Sequence, residues 1–262
     1  MRLACLLEYE GTDFHGFQSQ EALPTIQGEI QEAFKRISIN LDSFNYSGRT
    51  DAGVHALSQV FDFETSVQRG KEEWLNGLNS NLPRSIHIKD IIEVEDNFHS
   101  RYSAKERHYS YLIYNGKSKP TFFENFVHWD NSSLLDIDKM NTSAQELIGE
   151  HDFSSFRSSH CGSKNPIKTI NKISITQHES FLILNISANA FLHNMVRIIA
   201  GTLIDISKDE LKISMNKLIE EKDRRHAGKT LPAKGLFFLG PRYDTKLKIN
   251  SPFADVLSIF KK

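Results

Sequence analysis

The sequence predicts an α+β protein, with helices against one face of a largely antiparallel sheet. Three observations predict it. Residues 1–104 read strand, helix, strand, helix, strand, and residues 105–262 repeat the scheme. Strands outnumber what short βα crossovers supply, and residues 173–186 read as a hairpin. With 262 residues, 39% of them hydrophobic, the chain can bury one large core or two small ones. The expected division lies near 104, giving halves 1–104 and 105–262.

In the first half, Leu3, Cys5, Leu7 and Tyr9 alternate as in a strand. Glu10-Gly11-Thr12-Asp13 and Gly16 mark a loop. Thr25 is placed to cap a helix whose face is Ile26, Ile30, Phe34 and Ile37. A turn-rich stretch from Asn45 to Gly53 leads into a strand at Gln59–Phe63. Trp74, Leu75 and Leu78 suggest a short helix, and Ile86, Ile88, Ile92 and Val94 a strand. In the second half, Tyr109, Tyr111 and Ile113 alternate. Leu134, Ile137, Met140, Ala144, Leu147 and Ile148 form a helical stripe. Ile173–Thr176 and Phe181–Ile186 are hairpin arms. Phe191–Ile204 reads as a helix apolar almost all round, Leu211, Met215, Leu218 and Ile219 as another, and Gly235–Leu239 as the last strand.

Composition narrows the functional classes. No apolar run approaches the roughly 20 residues of a membrane helix, and Met1–Glu8 is too short for a secretory segment. Cys5 and Cys161 make neither a disulfide framework nor a zinc quartet. The expectation is a soluble, reduced, cytoplasmic protein. The net charge of −1 hides a division: nine Lys and Arg face sixteen Asp and Glu in residues 1–104, and 23 face 17 beyond. Such asymmetry suits a polyanion handled by the second half, and also ordinary charge scatter. There is no Gly-x-Ser-x-Gly elbow, Walker A loop or dinucleotide fingerprint. His151, His160 and Cys161 lack metal-ligand spacing. Neither a metal nor a nucleotide cofactor is expected.

Four segments can carry chemistry. In Ser47-Gly48-Arg49-Thr50-Asp51-Ala52-Gly53-Val54-His55, two glycines bracket a carboxylate that a tight turn would present at the mouth of a strand. A polar hairpin loop reads the same way. Arg197, among Met195, Val196, Ile198 and Ile199, is a cation on an apolar helix and needs a carboxylate partner, whether catalytic or structural. Paired, Asp51 and Arg197 would hold an ionised carboxylate in a partly desolvated cleft, fit to act as nucleophile or base. From Phe98 to Tyr111, cations including Arg101 interleave with aromatic rings. Lys222 to Lys234, with Arg224 and Arg225, is a second basic cluster. Both suit phosphates and bases, or are simply solvated faces.

These residues also carry a resemblance. Gly48-Arg49-Thr50-Asp51-Ala52-Gly53-Val54-His55 resembles the signature of the tRNA pseudouridine synthase A (TruA) family. So, in order, do Glu8–Gly11 with Gly16–Gln20 and Thr25–Gly28, then Asn79–Pro83, Phe98–Ala104 and Arg107–Tyr111. His151–Arg157, Ala188–Arg197 and Pro232–Leu236 complete the series. The departures are Phe17, where the family often has Trp, and Asn194, where it often has a second His. The resemblance implies two ferredoxin-like or RRM-like halves, a continuous antiparallel sheet and a central catalytic cleft. It implies isomerisation of uridine to pseudouridine at positions 38, 39 and 40 of the tRNA anticodon stem-loop, by a homodimer without cofactor. Asp51 is then the catalytic aspartate, Arg197 its partner, Tyr109 the residue against the target base, and Leu236 an apolar wall. Arg49 is a candidate to fill the gap left by a flipped nucleotide. Arg49, Arg101, Arg157, Arg224 and Arg225 are candidate RNA contacts. The alternatives are a non-catalytic RNA-binding protein on the same fold, and a pseudouridine synthase for another RNA site.

Overall fold

The computed structural model describes residues 1–41, 43–159, 161–251 and 256, so His160 lies outside the described residues. The chain forms two units. One is Met1–Arg107 with the described residues from Phe237 on; the other is His108–Leu236. Two consecutive halves divided at 104 do not capture the return of the chain to the first unit.

The first unit is built on β1 (Arg2–Tyr9), β2 (Asn45–Tyr46), β3 (His55–Glu64), β4 (Ile86–Val94) and β10 (Leu236–Arg242), in the order β4-β1-β3-β10 with β2 beside β3. The β1 pairings are antiparallel, Cys5 lying opposite Phe61 and Ile91. Only β10 runs parallel to β3, with Phe237 opposite His55, and those two rings stack at 4.9 Å. Helices α1 (Ile26–Arg36) and α2 (Lys71–Asn79) cover one face. Phe34 of α1 meets Phe63 edge-on at 4.8 Å, and Trp74 of α2 meets Phe63 at 5.7 Å. On the other face Asp62 accepts from Arg2 Nη1 (2.9 Å), Asn45 Nδ2 (3.1 Å) and Ser100 N–H (2.7 Å). Strand β3 is therefore buried on both faces and lacks the alternation of a half-exposed strand. That is why only its segment 59–63 was expected.

The second unit contains β5 (Glu106–Tyr114), β6 (His128–Trp129), β7 (Gly149–Asp152), β8 (Ile167–His178) and β9 (Phe181–Ala188), ordered β6-β5-β9-β8-β7. The hairpin β8–β9 turns at Glu179, whose φ is +53°. Helix α3 (Ile137–Gln145) packs on β8, and α4 (Met195–Ser207) packs on α3. Helix α5 (Met215–Glu221) is shorter than the stripe from Leu211 suggested. Asp136 caps α3 by accepting from Lys139 N–H, which leaves Leu134 before the helix and exposed. In each unit a helix asparagine takes up both backbone groups of one strand residue. Asn79 of α2 bonds both Ile88 N–H and Ile88 O, and Asn141 of α3 bonds both Ile175 N–H and Ile175 O.

Helix α4 begins four residues later than its apolar run. Asn194 sits at φ +63°, ψ +7°, outside right-handed helical space, so Met195 is the first helical residue. Gly201 lets the 228–231 segment cross the helix closely: a Cβ there would lie 2.0 Å from Lys229 O. No helix among the described residues is long and apolar enough to cross a membrane.

Candidate active site

Asp51 lies half-buried in the loop between β2 and β3, and the loop's backbone is fixed on both sides of it. Before Asp51, Thr50 O accepts from Phe17 N–H (3.1 Å), and Thr50 Oγ1 bonds Tyr9 Oη at 2.7 Å. After it, Gly53 N–H donates to Phe14 O and Val54 N–H to Asp51 O, both at 3.2 Å. Gln59 closes the root of the loop, its amide donating to Gly48 O (2.7 Å) while its Oε1 accepts from Ser47 Oγ (2.5 Å). The 11–17 loop packs against this turn through Gly16, at φ +92°. His55, the one imidazole in the motif, is buried. Its Nδ1 accepts from Gly11 N–H at 3.1 Å, so it helps fix the same loop. Burial drives the Tyr9 phenol well above its ordinary range, which keeps it a neutral hydrogen-bonding group at Thr50. A carboxylate on such a loop can act as a nucleophile or as a base.

Cations and aromatic rings surround the loop in the first unit. Burial raises the Tyr46 hydroxyl above its usual range, and the charges of Arg49 and Arg101 oppose that rise. Arg49 is exposed. Arg101 lies over the Tyr102 ring, 5.7 Å from its centroid. Arg107 ties this region to the root of the Asp51 loop. Its guanidinium donates to Ser47 O (3.3 Å), Ala104 O (3.1 Å) and Arg101 O. Sequence reasoning took Arg107 only as part of the tyrosine strand. Ser47 lies 60 residues before Arg107, and backbone carbonyls carry no mark in the sequence, so the clamp is hidden.

In the second unit, the Tyr109 ring is buried and meets Phe191 edge-on at 5.1 Å. Leu236 is buried at the start of β10. Arg197, expected to be enclosed by its apolar helix, is half-buried. Its Nε donates to Leu231 O and its Nη1 to Asn194 Oδ1, each at 2.7 Å. Leu231 N–H donates in turn to Arg197 O. Within this unit, then, the guanidinium takes neutral oxygens as well as any charged partner. Neither partner was predicted: Leu231 offers a backbone atom 34 residues away, and Asn194 registered only as a departure from the family pattern.

The remaining candidates differ in their availability. Arg157 follows the short helical turn Ser154–Phe156 and is half-buried. Arg224 donates to Ala227 O and Thr230 Oγ1, both at 3.1 Å. Arg225 is 85% exposed and forms a two-pronged pair with Asp223, whose carboxyl it holds far below the usual range.

An anchored loop carboxylate among cations and aromatic rings, on an α+β unit, has the character of an enzyme acting on a nucleic acid. The sequence profile of the tRNA pseudouridine synthase family matches residues 6–103 and 143–244, spans that hold Asp51 and Arg197 but not Tyr109. The chain belongs to this family, and its class is isomerase. Proteins named tRNA pseudouridine synthase A resemble it along nearly their whole length. That of Buchnera aphidicola subsp. Schizaphis graminum is 43% identical over 92% of each chain. That of Coxiella burnetii (strain Dugway 5J108-111) is 41% identical over 95% of each, and that of Aliivibrio salmonicida 38% over 93% of each. Among solved structures, a chain of a Cbf5-Nop10-Gar1 complex aligns with 90% of this chain and 57% of its own, at 10% identity and a TM-score of 0.31.

Proposed function

We propose that this enzyme converts uridine to pseudouridine at positions 38, 39 and 40 in the anticodon stem-loop of tRNA. Asp51 is the catalytic nucleophile or base, Arg197 pairs with it, and Tyr109 lies against the target base. The observation that carries the reading is the Asp51 loop: the family match spans it, and hydrogen bonds from Phe17, Tyr9 and Gly53 hold it on either side of the carboxylate. The reaction needs the N1–C1′ bond broken, the uracil turned, a C5–C1′ bond made, the C5 proton lost and a proton gained at N1. Atoms balance with no added reactant. Asp51 can attack the sugar or base, or take the 2′ proton. Leu236 supplies an apolar wall for the base, and Arg49 fills the gap that a flipped nucleotide leaves. Arg101, Arg157, Arg224 and Arg225 contact phosphates.

Tritium release from tRNA labelled at uridine C5, followed by mapping of the product, tests the reading. Wild type should release tritium from the anticodon arm. Asp51→Asn should bind tRNA and release essentially none; substantial turnover would remove Asp51 from its role. Release mapped to another arm would overturn the positions, and none from wild type would indicate an RNA binder. A double-mutant cycle of Asp51→Ala and Arg197→Met on stability tests their pairing, additive effects excluding it. We further propose that the enzyme works in the cytoplasm as a homodimer, one subunit supplying the active site and the other basic surface to the tRNA body. A monomeric mass by light scattering would reject the dimer.

A further inference from the structure

The start of α4 departs from what helix physics favours. Asparagine is among the best N-cap residues because its side-chain oxygen can accept a backbone N–H of the first turn, with the cap backbone extended. Asn194 does neither. Its backbone is left-handed, at φ +63° and ψ +7°, and its side chain makes no bond to the helix backbone. Its Oδ1 instead accepts from Arg197 Nη1 at 2.7 Å. The same guanidinium is held on another edge by Leu231 O, delivered by the segment that crosses α4 at Gly201. The fold thus forgoes a cap and accepts a sparsely populated backbone conformation at one residue, and obtains an oriented arginine. A local rule broken where a functional side chain gains a partner is the pattern of strain kept for function.

We infer that Asn194 is a positioning residue for the reaction: its carboxamide oxygen, with Leu231 O, fixes the plane of the Arg197 guanidinium. The inference rests on the reading that Arg197 serves catalysis. Two fixed acceptors on different edges of a planar fork leave it one orientation, with the remaining N–H donors directed at whatever charge Arg197 serves. Asparagine suits the place because it tolerates left-handed backbone and still carries an acceptor.

Two substitutions separate positioning from structure. Asn194→Gly keeps the left-handed backbone at no steric cost and removes the oxygen. Asn194→Asp keeps the oxygen. Each is measured in the full-length enzyme on an unmodified tRNA transcript, for kcat, KM and melting temperature, beside Arg197→Met. Asn194→Gly should lower kcat about tenfold or more, leave KM within about twofold and melt no lower than wild type. Asn194→Asp should stay within about threefold of wild type. Full kcat in Asn194→Gly beside an inactive Arg197→Met would overturn the inference alone. Equal impairment of the two Asn194 variants, or a loss of kcat that tracks a loss of melting temperature, would also overturn it. An active Arg197→Met would instead refute the underlying reading of Arg197, and the inference with it.

Discussion

Replacing Gly16 by alanine tests whether the 11–17 loop sets the position of Asp51. Gly16 has φ +92°, where an L-residue costs roughly 1–2 kcal/mol. The added Cβ would lie 2.7 Å from Thr50 O and 3.3 Å from both Asp51 C and Ala52 N. Reaching ordinary contact at 3.4 Å requires the Thr50–Asp51 peptide to move by about 0.7 Å. That peptide also accepts from Phe17 N–H, so the shift loosens a hydrogen bond worth about 1 kcal/mol. The total loss of stability is then about 2–3 kcal/mol. Misplacing a catalytic group by about 1 Å can reduce the rate about a hundredfold, so kcat should fall between roughly tenfold and a hundredfold. Gly149→Ala is the control. Gly149 has φ +109°, but its nearest neighbour would be His151 Nε2 at 3.5 Å, so the variant carries backbone strain without a clash. Urea unfolding and single-turnover tritium release are measured for both. Both should be destabilised, and only Gly16→Ala should turn over slowly. Full kcat in Gly16→Ala, or an equal loss in Gly149→Ala, would refute the reasoning.

Acid should weaken the fold through His128. Burial, the leading cause, pulls its imidazole from 6.5 to about 4, and its buried Nε2 has no hydrogen-bond partner among the described residues. A base whose folded pKa is depressed contributes full stability above its unfolded value and loses it as pH falls from about 6.5 towards about 4. Urea midpoints at pH 7 and pH 4.5 should therefore diverge less in His128→Phe than in wild type, and an unchanged divergence would contradict this. For tRNA affinity, removing the charge of Arg101 should reduce the slope of log affinity against log salt by about 0.7–0.9. Arg225→Ala should reduce it less, because a phosphate must displace Asp223 from that cation; an equal reduction would show that Asp223 does not compete.

Local patterns were legible where one residue pair or one period sufficed. Thr25 caps α1 through Gly28 N–H, β4 spans the expected Ile86–Val94, and the arms of β8 and β9 meet at a two-residue turn. Strands β2, β6 and β7 were missed because two to four residues carry no period. Leu134 entered a helical stripe by apolarity alone, yet the Asp136 cap starts the helix beyond it.

The sequence by itself determined the α+β class, the family and the loop in which Asp51 stands, because glycine spacing, side-chain period and motif order are properties of neighbours along the chain. Tertiary structure alone decided that β10 returns to lie parallel to β3, that Arg107 gathers the carbonyls of Ser47, Arg101 and Ala104, and that Arg197 rests on Leu231 O and Asn194. Backbone carbonyls are chemically alike at every residue, so no sequence pattern marks the ones a guanidinium will find. Only the folded path, which brings residue 231 across the first turn of α4, makes that choice.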